Sequence, residues 1–310
     1  MLGVSDLLRN LLIKAGENRP LAKQVTSRRL TRSLAMRYVA GETLDDGLEV
    51  TRRLVAQGKT VTLDFLGESV TSQDDARAAA KVIVEAVGRV GDEGLPAGVS
   101  VKPTQLGLKL SEQLCTELCS DVAIATAGIG EHLTLDMEGH DVTEGTVTLV
   151  ERLQQAGHDH VCCAVQSYLR RTRADVERLS RAGASLRLCK GAYAEPEQVA
   201  YQSRTEVDAS YAQCGDYLLA HGRYPRIATH DHRLIDHVKV VAARRGLSRD
   251  DFEFQMLHGV RNSLQDALVA DGYRLRVYVP FGHQWYPYFM RRLAERPANL
   301  LFFLRSLRDT

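Results

Sequence analysis

The chain has 310 residues, 44% hydrophobic and 25% charged, the composition of a soluble globular protein long enough to bury a large core. A formal net charge of +1 argues against nucleic acid as the main partner. No window approaches 18 uncharged apolar residues, so no membrane-spanning helix is expected.

The first forty residues are basic: Arg9, Lys14, Arg19, Lys23, Arg28, Arg29, Arg32 and Arg37 stand against only Asp6 and Glu17. This reads as a solvated helical arm over residues 1–57, or as an amphipathic segment that touches an anionic membrane surface. Charge interrupts Leu7–Leu8–Arg9–Asn10–Leu11–Leu12, so the start does not read as a signal peptide.

From residue 58 onward, short β-like runs alternate with longer amphipathic ones. Strand signals fall at 60–66, 99–103, 132–136, 161–166, 185–190, 226–230, 252–257 and 275–280. Helix signals follow each, at about 75–89, 111–119, 143–156, 173–182, 197–221, 231–245, 262–271 and 284–307. Gly157, Gly183, Gly222, Gly246 and Gly272 stand between a helix and the next strand, where helices commonly stop. Eight strand–helix units predict one α/β (βα)8 barrel of the TIM type over 58–310. The cysteines at 115, 119, 162, 163, 189 and 214 show no zinc-ligand spacing and read as reduced thiols of a cytoplasmic protein.

In such barrels chemistry gathers at the C-terminal strand ends. Those ends carry Asp64, Lys102, Asp136, Gln166, Arg187 with Lys190, His230, Gln255 and Tyr278. A ring so varied points to one active site for a small anion. Asp64, before a Leu–Gly–Glu turn, reads either as a member of this ring or as a cap for the following segment. His230–Asp231–His232 has poor geometry for a metal, and none is expected. On the last helix Tyr288, Arg291, Arg292 and Glu295 share a face, and adjacent arginines beside an aromatic suit a carboxylate held by forked hydrogen bonds. No Gly-x-Gly-x-x-Gly follows a strand, so a Rossmann-type nucleotide site is not indicated.

Several of these runs form an ordered set. Arg187–Leu–Cys–Lys190–Gly191–Ala192–Tyr193 resembles the R-L-x-K-G-A-Y motif of the proline dehydrogenases. Leu135–Asp136–Met137–Glu138, Val165–Gln166–Ser167–Tyr168, Ala228–Thr229–His230, residues 254–259 and 276–282, and Tyr288–Phe–Met–Arg291–Arg292–Leu–Ala–Glu295 follow in that family's order. The resemblance covers about residues 60–305, and the N-terminal segment adds nothing to it.

The resemblance implies a distorted barrel whose last helix lies over the C-terminal face, with non-covalent FAD. It implies catalytic roles for Lys102, Arg187, Asp136 and Tyr278. FAD would be bound by Asp136, Met137, Gln166, Arg187, Lys190, Gly191, Ala192, Thr229, His230, Gln255 and Leu257. Lys102, Arg291 and Arg292 would hold the substrate carboxylate, and Tyr193, Leu257, Tyr278 and Tyr288 would wall its ring. Asp136 would bond Tyr278, and Glu295 would brace the arginines. The implied reaction is hydride transfer from C5 of L-proline to flavin N5, giving Δ1-pyrroline-5-carboxylate. Electrons would pass to a membrane quinone, which would bring a cytoplasmic protein to the inner face of the membrane. A separate pyrroline-5-carboxylate dehydrogenase would take the product onward. The alternatives are 4-hydroxyproline oxidation, against which the bulk of Tyr278 argues, and another FAD barrel, methylenetetrahydrofolate reductase. The loop 282–287 is short for the family.

Overall fold

The structure is a computed structural model that describes residues 29–295, with Leu12, Ala15, Gly16, Asn18, Ala22 and Thr26 before them. Of the basic arm, Arg9, Lys14, Arg19, Lys23 and Arg28 lie outside the described residues, as do the last helix beyond residue 295 and the side chain of Glu295.

Eight parallel strands close into a barrel in sequence order, with β1 (Thr60–Phe65) pairing both β2 (Ala97–Val101) and β8 (Leu275–Phe281). Between them lie β3 (Leu133–Leu135), β4 (Val161–Gln166), β5 (Ser185–Cys189), β6 (Arg226–Ala228) and β7 (Glu253–Leu257). The predicted strands therefore exist, but β3 and β6 are shorter than expected, since Asp136, Thr229 and His230 already belong to the loops.

Immediately before the barrel lie α1 (Arg29–Ala35) and α2 (Leu44–Val55). The helices between strands are α3 (Gln73–Asp92), α4 (Glu112–Gly128), α5 (His140–Gln155), α6 (Thr172–Arg181), α7 (Arg204–His221), α8 (His232–Arg244) and α9 (Asn262–Ala270). The last described helix is α10 (Trp285–Glu295). α4 runs well past the predicted end at residue 119. Its extension buries Val122, Ala123 and Thr126, small side chains whose spacing gives a weak amphipathic signal. The predicted start of α7 at 197 is a loop instead; Ser203 accepts from Glu206 N and begins the helix there.

Strand alternation divides each strand into two faces. One face of the strands supplies Val61, Leu63, Val99, Val101, Leu133, Leu135, Val277 and Val279, which pack with the helices into one buried core. The other supplies side chains that bond one another across the barrel, such as Arg187 of β5 with Ser100 of β2. The interior is thus polar where most such barrels are filled with branched aliphatics.

α2 lies against the seam of β8 and β1, where Gly47 lets the helix approach Phe281 and Leu63. This is the flank an eighth barrel helix would normally cover. The capping box of Thr43 and Asp46 fixes its start. With that flank covered, α10 turns off β8 after residues 282–284 and packs over the barrel top. Trp285, Tyr286, Phe289, Met290 and Leu293 join Ala35, Val39 and Leu66 in a second apolar cluster, against which Tyr278 packs. The result is an α/β (βα)8 barrel distorted by its last helix. The N-terminal segment is stitched to the same end: Ala40 N donates to Pro280 O, and Gly282 N to Gly41 O. Gly259, in the left-handed region, is required there, because a Cβ would strike the Arg37 carbonyl. No helix among the described residues is long and apolar enough to cross a membrane.

Candidate active site

A cavity of about 1190 Å³ opens at the C-terminal ends of the strands, below α10. Lys102, Asp136, Met137, Gln166, Arg187, Lys190, Gly191, Ala192 and Tyr193 line it from the ends of β2 to β5 and the loops that follow them. Thr229, His230, Gln255, Leu257 and Tyr278 line it from the last three, and Tyr288, Arg291 and Arg292 from above. The structure thus brings together every predicted site residue except Glu295, whose side chain falls outside its description.

The floor is a network of buried charge. Lys102 Nζ donates to both carboxylate oxygens of Asp64, at 2.9 and 3.0 Å, and lies 3.4 Å from Asp136 Oδ2. Tyr278 Oη donates to that same oxygen at 2.7 Å. Asp136 Oδ1 accepts from Ser100 Oγ at 2.5 Å and from Arg187 Nη1 at 2.6 Å. Arg187 Nε donates to Gln255 Oε1 at 2.7 Å, and its guanidinium lies 5.3 Å from the Tyr278 ring centre. Burial alone would strip Lys102 of its proton, but Asp64, Asp136 and Glu68 outweigh it and hold its pKa above the ordinary lysine value. Burial likewise opposes the charge on Asp136, while Lys102 and Arg187 hold it below the usual carboxylate range. One polar atom is left over: Arg187 Nη2 is buried and has no hydrogen-bond partner among the described residues.

One alternative falls away. Asp64 caps nothing. It is fully buried and is the counter-charge of Lys102. Arg291 has a brace that the sequence does not reveal: it donates to Glu68 at 2.6 Å. Glu68 lies in the loop after β1, where no periodicity marks it. Its position four residues after a strand-end aspartate is the one available signal.

The roof is aromatic and cationic. Arg291 lies 5.4 Å from the Tyr193 ring centre and Arg292 4.9 Å from that of Tyr288, within cation–π range. Tyr193 depends on its neighbour Gly191, whose φ of 112° and contact with the Tyr168 ring leave no room for a Cβ.

The rim carries further polar groups. Lys190 pairs with Asp208 and lies 3.3 Å from Asp231. His230 Nε2 accepts from Leu257 N at 3.0 Å, while Arg261 donates to the His230 carbonyl at 2.6 Å. Thr229 Oγ1 accepts from Asp231 N. Gln166 Nε2 donates to the Glu138 carbonyl at 2.8 Å. The Glu138 carboxylate, which sequence reading treated only as part of a motif, is buried and accepts from Thr104 N and Oγ1 at 3.0 and 2.5 Å. Burial pushes its pKa up to about 7 against those two hydrogen bonds.

The fold and this mouth define a (βα)8 protein with one large ligand cavity, polar below and cationic above. The proline dehydrogenase family model matches residues 48–305. The chain is 37% identical over 277 residues to proline dehydrogenase 2 of Bacillus subtilis (strain 168), covering 89% of this chain and 91% of that protein. It is 34% identical over 308 residues to proline dehydrogenase of Deinococcus radiodurans, covering 98% and 99%. Its fold is similar to the solved structure of proline utilization A from Bdellovibrio bacteriovorus inactivated by N-propargylglycine. There the TM-score is 0.81 at 24% identity, over 95% of this chain and 37% of that one. The chain belongs to the proline dehydrogenase family. The likeness begins inside α2 and, for the Deinococcus protein, takes in nearly the whole chain, so it reaches further into the N-terminal segment than the strand motifs alone suggest.

Proposed function

We propose that the chain is a flavin-dependent dehydrogenase that oxidises L-proline to Δ1-pyrroline-5-carboxylate. The observation that carries this reading is the pair Arg291 and Arg292, held by Tyr193, Tyr288 and Glu68 directly above the Asp136–Arg187–Tyr278 floor.

FAD fits the residues present. The cavity exceeds what a small amino acid needs and passes the upper end of ordinary ligand sites, ~1,000 Å³. The buried Arg187 Nη2 needs an acceptor, which a flavin ring edge would offer. Lys190, Arg204, Arg233 and Arg261 line the rim, a suitable setting for phosphates. Met137, Gln166, Gly191, Ala192, Thr229, His230 and Gln255 would complete the holder. When bound, FAD supplies the two-electron acceptor for a hydride from C5.

The chain's own residues then bind and orient. Arg291 and Arg292 would fork onto the substrate carboxylate, while Tyr193, Leu257, Tyr278 and Tyr288 enclose the apolar ring. Holding C5 in one place supplies much of the rate through orientation. Lys102, already met by Asp64, keeps Asp136 ionised and so fixes Tyr278, and because it lines the cavity floor it would also meet the substrate carboxylate from below. Glu295 would add a second brace to the arginines. Electrons would leave to a quinone, and a separate dehydrogenase would consume the product.

The purified protein should be yellow. Anaerobic L-proline should bleach its flavin band and a quinone should restore it. A colourless protein that takes up no FAD overturns this reading.

A further inference from the structure

Glu253 lies below the cavity on β7, 2% exposed and two residues before Gln255. Alternation places both side chains on the inner face of the strand. Glu253 Oε1 accepts from Gln255 Nε2 at 2.5 Å and from Arg276 Nε at 3.0 Å. Arg226 Nη1 stands 3.6 Å away, and the Tyr224 hydroxyl donates to the other oxygen at 3.3 Å. At the other end of the amide, Gln255 Oε1 accepts from Arg187 Nε.

A carboxamide has one donor end and one acceptor end of nearly equal shape, and only its neighbours decide which points where. Here both neighbours agree. An ionised carboxylate only accepts, and a guanidinium only donates. The amide N–H must therefore face Glu253, and the carbonyl must face Arg187. Turned over, the amide would set N–H against N–H and oxygen against oxygen, losing two charge-assisted hydrogen bonds in a buried place. Burial opposes the charge on Glu253, but Arg276 and Arg226 outweigh it and hold the carboxyl below its ordinary pKa. Arg187 is then fixed at two points, by Gln255 at Nε and by Asp136 and Ser100 at Nη1. A planar group held at two points leaves one direction for Nη2.

We propose that Glu253 is a positioning residue that locks the orientation of the Gln255 amide and, through it, the aim of the Arg187 guanidinium. This rests on reading the cavity as the flavin and proline site.

The test compares wild type, E253Q, Q255M and the double variant, loaded with FAD. In E253Q the packing volume is kept, but either end of the new carboxamide can meet Gln255. The readouts are the FAD dissociation constant from flavin fluorescence, and kcat and KM with L-proline. E253Q should weaken FAD binding and lower kcat by about tenfold each, with KM within about twofold. Q255M should do the same, and the double variant should be no worse than Q255M, because Glu253 acts through Gln255 alone. Unchanged FAD affinity and kcat in E253Q, or an equal further loss in the Q255M background, overturns the proposal. Should E253Q fail to fold, E253D keeps the charge beside Arg276 but shortens the reach to Gln255. It should show the same losses, and native FAD affinity and kcat in E253D would overturn the proposal. A wild-type protein that binds no FAD fails at the earlier step and overturns the site reading instead.

Discussion

The cavity has a buried ion pair on each side, and the two pairs are built differently. Below, Lys102 and Asp64 stand at the ends of neighbouring strands whose backbones pair from Val61 to Asp64. Both side chains are almost wholly buried, and the sheet dictates their separation. Above, Arg291 rides on α10 and Glu68 on the loop after β1, and Glu68 keeps about a quarter of its side chain exposed. Their separation depends on how α10 packs on α1 through the second apolar cluster. The lower pair is therefore set by the sheet, and the upper pair by the packing of α10. Glu138 lies at the joint. It holds Thr104, just past β2, and Thr104 Oγ1 accepts from Ser69 N beside Glu68.

The largest effect should come from breaking the lower pair. Lys102→Met strands Asp64 with no cation in a fully buried place, which should cost about 3–5 kcal/mol in urea unfolding. A loss below ~1 kcal/mol would mean that the two pairs are alike.

The joint should answer to pH. Glu138 titrates near 7 when folded, against an ordinary value of 4.5. Its raised pKa means that its stability contribution is full below pH 4.5 and is lost as pH rises through about 7. The loss should be on the order of 3 kcal/mol. Urea unfolding at pH 5 and pH 8 should show it, and Glu138→Gln should flatten the difference, since the amide can still accept from Thr104 N. An equal pH slope in wild type and variant would remove Glu138 from the joint.

The smallest change in stability, and a selective one in binding, should come from the upper pair. Arg291→Ala or Arg292→Ala should raise the apparent KM for proline about tenfold or more, as a charged hydrogen bond of ~1.5–3 kcal/mol is lost. An unchanged KM in both variants would deny them the carboxylate.

The same contrast explains what the sequence made legible. Strand periodicity exposed the framework, so the eight strands and the ring from Lys102 to Tyr278 could be read in chain order. The pattern of Tyr288, Arg291 and Arg292 was legible because helical spacing placed them on one face. Glu68 sits in an aperiodic loop, and only the folded chain brings it to Arg291. Asp64 could be read as a cap because its sequence neighbours are turn residues, whereas its partner Lys102 lies 38 positions away, just past β2. Glu253 reads as one polar residue in a strand until the barrel closes Arg276 and Arg226 around it. The covering of the β8–β1 seam by α2 was equally hidden, since nothing in an amphipathic helix names the strand it will cover.

Because β1 pairs with β8, the first strand made waits for the last, and the sheet keeps two open edges until residue 281 has been synthesised. The eleven residues of α10 take about half a second to two seconds at ordinary elongation rates. A nascent chain that has not yet released β8 therefore offers no enclosed cavity, and ring closure and roofing follow one another closely. Any interruption before β8 yields a chain that lacks both the seam and the site, with adhesive strand edges exposed to its neighbours.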